Sequence, residues 1–66
     1  MSKPSDQLSA YVQRKGEKLE ELADHHALIG ETAQAKELYS QARDMYERIA
    51  NQELISRVND KLSKLT

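Results

Sequence analysis

The sequence predicts an all-α protein: an antiparallel helical hairpin over residues 5–29 and 32–50, with a third helix over 52–65 on its open face, a small three-helix bundle. Three observations carry this. Ala35, Leu38, Tyr39, Ala42, Met45, Tyr46 and Ile49 recur at steps of three and four, which is one face of an α-helix. Gly30 stands just ahead of that run, where a preceding helix can end in a left-handed residue at no steric cost. Past Ile49 the phase slips. Continuing the stripe would place Glu53 and Ser56 inside, whereas the apolar residues fall at Leu54, Ile55, Val58, Leu62 and Leu65.

The elements follow in order. Residues 1–4 are expected to be a disordered lead, with residues 5–66 forming the single domain. Ser5 is the candidate N-cap, because its hydroxyl can accept from an orphaned backbone N–H, and Asp6 suits the positive helix end. In the first helix Leu8, Tyr11, Val12, Lys15, Leu19, Leu22, Ala23, His26 and Ile29 trace the expected buried stripe. Gly16 costs that helix about 1 kcal/mol against Ala, but the stripe keeps phase on both sides of it. Thr32 is placed to cap the second helix. Asn51 is the natural breakpoint before the third, since it tolerates turn geometry and can cap the next helix. A turn there predicts that Asn51→Pro is tolerated, whereas in one continuous helix it costs about 3 kcal/mol. Asp44–Arg48, Glu53–Arg57 and Asp60–Lys64 are acid-then-base pairs at i,i+4, each expected to add a few tenths of a kcal/mol on solvated faces.

Composition narrows the function classes. Sixty-six residues without Cys, Trp or Phe give a thin core and a stability of a few kcal/mol. Ten basic residues against eleven acidic ones do not make the positive field that bulk binding to nucleic acid or anionic membrane needs. The longest apolar run, Ala27-Leu28-Ile29, is far short of a membrane span. No apolar segment behind the first residues resembles a signal peptide. A soluble, cytoplasmic protein is the expectation.

From Gly30 onward a family resemblance emerges. Gly30, Ala35, Tyr39 and Ala42 fall at the spacing of the second helix of a tetratricopeptide repeat. Leu19, Leu22, Ala23 and His26 stand where that family's first helix carries its packing residues. The resemblance spans residues 16–49 and implies hairpin packing by these eight residues and Tyr46. The chain departs from the pattern at Thr32, His26 and Glu47, and no second unit follows or precedes. A lone hairpin with a third helix also resembles the MIT (microtubule interacting and trafficking) domain, carried here by residues 31–39. That resemblance implies a groove between helices that binds a helix or extended peptide of another protein, although the link at 50–52 is shorter than in that family.

Chemistry-bearing clusters are few. Glu21 and His25 have i,i+4 spacing, but no second such segment exists to complete a metal site, so His25 and His26 read as structural or titrating residues. Ser40 and Ser56 lack any nucleophile elbow or oxyanion loop. No catalytic residue, metal or cofactor is expected. Tyr39 and Tyr46 read as core residues with hydroxyls at the rim. Tyr11, Leu28 and either Leu54 or Ile55 read as partly exposed apolar residues, and such residues on a marginal domain point to a protein partner. The leading expectation is a small non-enzymatic interaction module, an adaptor, regulator or chaperone-like cofactor, taking a partner helix or peptide in an inter-helix groove. One alternative is a structural protein that self-associates, its second and third helices continuous. The other is a nucleic-acid-associated regulator using Lys3, Arg14, Lys15 and Lys18, diluted by Glu17, Glu20 and Glu21.

Overall fold

The computed structural model describes residues 4–65, with side chains from Gln7 onward. Three helices run in sequence: α1 Pro4–Leu28, α2 Thr32–Arg48 and α3 Gln52–Lys64. α1 packs on α2, and α2 on α3. The Cα envelope measures 45 × 17 × 12 Å, and the 25 residues of α1, at about 1.5 Å each, span roughly 37 Å. The chain is an all-α three-helix bundle.

Helix ends explain the two turns. At the first, the Glu31 N–H donates to the His26 carbonyl at 2.8 Å and the Gly30 N–H to Ala27 at 3.2 Å. This is the paired bonding of a Schellman motif, with Gly30 at φ +86° supplying the left-handed residue. The second turn repeats it twenty residues later. The Asn51 N–H donates to Tyr46 at 3.0 Å and the Ala50 N–H to Glu47 at 3.1 Å, but the left-handed residue is Ala50, at φ 52°. Asn51 then caps α3, its side chain accepting from the Leu54 N–H at 3.2 Å.

Several expectations are corrected. Pro4 opens α1, where its missing N–H costs nothing, so Ser5 lies inside the helix and is not its N-cap. The rest of the expected lead, residues 1–3, lies outside the described residues. Thr32 is the first helical residue of α2, and its N-cap, Glu31, makes no side-chain cap bond. The Glu31 carboxylate instead meets His26 Nδ1 at 2.6 Å. Helices two and three are separate, but Asn51 uses both its N–H and its side chain there, so proline would cost two bonds and is not tolerated as expected. Of the three i,i+4 pairs, Asp60–Lys64 forms at 3.2 Å, while Arg57 turns away to another helix.

The core consists of Ala23, Ala35, Tyr39, Ala42, Tyr46, Leu54 and Val58. Leu19, Leu38, Ile55, Leu62 and Leu65 pack against it, partly buried. The stripe expected on α2 is therefore the one that faces inward. On α1 the buried face lies one residue further on. Gly16, Glu20 and Ala23 are buried and Ala27 half-buried, each the residue after Lys15, Leu19, Leu22 and His26 of the expected stripe. One residue is 100° of helix rotation. The cause is the size of the tyrosines opposite. A Cβ on Gly16 would sit 2.7 Å from Tyr46 Cε1 and 3.1 Å from Met45 Cβ, so α1 turns its smallest residues toward α2.

Candidate functional site

Rotating α1 has two consequences, one on each flank. On one flank it carries Glu20 into the interior and Asp24 beside it. Glu20 is buried, and its carboxylate is fully engaged. Oε1 accepts from the Tyr46 hydroxyl at 2.7 Å and from Arg57 Nη2 at 2.6 Å, while Oε2 accepts from Arg57 Nε at 2.8 Å and Lys61 Nζ at 2.7 Å. One turn on, Asp24 accepts from Lys61 at 3.1 Å and from the Tyr39 hydroxyl. The result is a two-rung ladder: Tyr46–Glu20–Arg57 and Tyr39–Asp24–Lys61, each rung taking one residue from each helix. Lys61 Nζ also stands 6.0 Å from the Tyr39 ring centroid.

Electrostatics follow from this geometry. Burial alone would push the Glu20 carboxyl up, but the bonds from Arg57, Lys61 and Tyr46 outweigh it and hold the group at about 2, against an ordinary 4.5. Burial, reinforced by the neighbouring carboxylates, pushes both the Tyr39 and Tyr46 hydroxyls well above the usual phenol range. The Tyr46 hydroxyl lies in the interior against Glu20 and not at the rim, which corrects that expectation. No buried side-chain nitrogen or oxygen among the described residues lacks a partner. The ladder is a structural clasp between α1 and α3.

The other flank is uncovered. Part of the apolar stripe that was expected to bury is turned to solvent: Leu8 is 64% exposed, Tyr11 61%, Leu22 46% and Ile29, just past the end of α1, 56%, while Val12, Leu19 and His26 are half-buried and Ala23 is buried. The exposed part lies on the flank of α1 away from Asp24 and hence away from α3. Two concavities run along it. One, of about 400 Å³, lies where α1 passes the end of α2 and is lined by Leu8, Tyr11, Val12, Arg48 and Ile49. The other, shallow and on α1 itself, is lined by Lys18, Glu21, Leu22 and His25.

The expected contact residues are not brought together. Tyr11 and Leu28 are both exposed, but seventeen residues apart on one helix they stand about 26 Å from each other. Leu54 is a core residue and is removed from the set, because the Asn51 cap starts α3 in the phase that turns it inward. Ile55 is half-buried on α3. Of the expected hairpin residues, Ala23, Ala35, Tyr39, Ala42 and Tyr46 are buried and Leu19 and His26 half-buried, while Gly30 forms the turn. Leu22 is exposed, a correction that follows from the rotation of α1. Leu8, Leu22 and Ile29 join Tyr11 on the surface strip. His25 and His26 meet edge-on, 6.1 Å between ring centres, and no three metal-ligating side chains converge among the described residues. No described helix is long and apolar enough to cross a membrane.

No protein-family model, curated protein or solved structure matches the chain.

Proposed function

We propose that this chain is a small non-enzymatic protein–protein interaction module whose working surface is the uncovered flank of α1. The observation that carries the reading is the exposure of Leu8, Tyr11 and Leu22 along one face of a 25-residue helix, with Ile29 exposed just past its end. Soluble domains rarely leave so long an apolar strip without a use for it. A strip of this length suits an amphipathic helix laid alongside, with its anchors at i, i+3, i+4 and i+7. The small residues Gly16, Ala23, Ala35 and Ala42 where α1 and α2 meet, with Gly30 closing the turn, support a tetratricopeptide-like hairpin more than an MIT-like bundle. In place of a neighbouring repeat, α3 covers one flank of that hairpin, and the partner takes the other. Nucleic acid is disfavoured, because Arg14, Lys15 and Lys18 are interleaved with the exposed Glu17 and Glu21.

A photo-crosslinking residue at Leu22, compared with one at Glu47 on the outer face of α2, tests the assignment in the cells that make the protein. Discrete adducts from position 22 and none from 47 are expected. Equal labelling at both, or none at 22, overturns it.

A further inference from the structure

The two turns of the chain share their bonding but not their residue. Gly30 is left-handed at φ +86° and Ala50 at φ 52°. Only the second conflicts with its side chain, since alanine resists the left-handed region and is the best of the helix formers. The link it belongs to is Ile49-Ala50-Asn51, between Arg48 and Gln52. Neither glycine nor proline occurs after Gly30, so no residue there breaks a helix. Local preference at the second turn is for continuation, and the Asn51 cap on Leu54 holds the turn against it. A short link under strain invites the exchange of an element between copies.

The rest of the fold permits that exchange. Straightened at the link, residues 32–64 make one helix about 50 Å long. Arg43 and Asn59, bonded at 3.0 Å in the folded chain, would then stand about 24 Å apart. α3 is carried away from its own hairpin and can reach only that of a second copy. Its contacts survive the transfer: Leu54 and Val58 in the core, Arg57 on Glu20, and Lys61 on Glu20 and Asp24. The closed and exchanged forms therefore differ at the hinge and in the cost of association. The slip of apolar phase past Ile49 suits the exchanged form too, because there the helix changes the copy on which it packs.

We propose that two copies of this chain exchange α3, residues 32–64 of each forming one helix and Arg57 and Lys61 of each closing the Glu20–Asp24 clasp of the other. The partner is a second copy at the hinge, and the α1 face assigned above is a separate matter: its adducts are with a different protein, whereas those of the exchanged pair have the mass of two chains. Refolding at about 1 mM lets α3 exchange, and sedimentation equilibrium then follows the chain down to about 1 µM. A mass of about 15 kDa at the upper end is expected, twice the 7.5 kDa chain. Ala50→Gly should weaken pairing at least about a hundredfold, because it favours the turn in both copies. Asn51→Ala should tighten it about tenfold or more, because the cap that holds the turn is lost. With Arg43→Cys and Asn59→Cys in a chain that has no other cysteine, a short thiol crosslinker should join copies in the dimer and stay within the chain in the monomer. A mass of 7.5 kDa at every concentration, a dimer indifferent to both hinge substitutions, or one whose crosslinks stay within each chain overturns the proposal.

Discussion

Glu20→Gln isolates the charge of the clasp while keeping the shape of the side chain and an acceptor for the Tyr46 hydroxyl. Glu20 is the buried member, its side chain 4% exposed against 49% for Arg57 and 31% for Lys61. The folded carboxyl sits at about 2 against an ordinary 4.5. At ~1.36 kcal/mol for each pH unit that gap is worth about 3 kcal/mol. The two cations regain water when the charge is lost, which lowers the expected cost to about 2 kcal/mol. In a domain of this size that is a large share of the total, a fall in Tm of roughly 10 °C. The sign with pH is fixed. A depressed carboxyl stabilises fully above about 4.5, and its contribution is lost as pH falls toward about 2. Urea unfolding followed by circular dichroism at 222 nm should therefore show wild type well above Glu20→Gln at neutral pH, with the difference closing as the solution is acidified through that window. A difference under about 0.5 kcal/mol at neutral pH, the scale of an ordinary surface change, or one that persists at the acid end, refutes the reasoning.

Gly16→Ala gains up to about 1 kcal/mol of helix propensity but drives a methyl to 2.7 Å from the Tyr46 ring. Overpacking of that kind costs about 1–3 kcal/mol, so thermal denaturation should show net destabilisation. Ala50→Gly should stabilise by about 1 kcal/mol in the same assay, since it relieves a left-handed Ala. Gly30→Ala should destabilise by a similar amount, although nothing lies within 4 Å of the added carbon, because the cost is in the backbone alone.

Much of the fold is legible in the sequence. The inward face of α2, the turn at Gly30 and the Asn51 cap all follow from local rules, of period and of backbone preference. The face of α1 does not. Periodicity ranks Leu22 above Ala23 and Leu19 above Glu20 as interior residues, because it weighs each side chain by its affinity for water. Fit decided the matter: Tyr46 leaves room only for Gly16, and its hydroxyl needs an acceptor. Glu20 meets Tyr46, Arg57 and Lys61 across 26, 37 and 41 residues of chain, separations that no local pattern records. One signal was present. Two tyrosines on the inner face of α2 need acceptors for their hydroxyls, and Glu20 and Asp24, a turn apart on the facing helix, can supply them.

The ladder also bears on how the chain folds. Each helix packs on its neighbour in sequence, an arrangement in which stability is normally a sum of local terms and end segments fray independently. Contacts so close in sequence favour rapid folding. The two rungs are the exception, since they join the first helix to the third. They tie the last segment's fate to the first, so that the hairpin and α3 melt as one two-state unit. Once they are cut, α3 should open ahead of the rest.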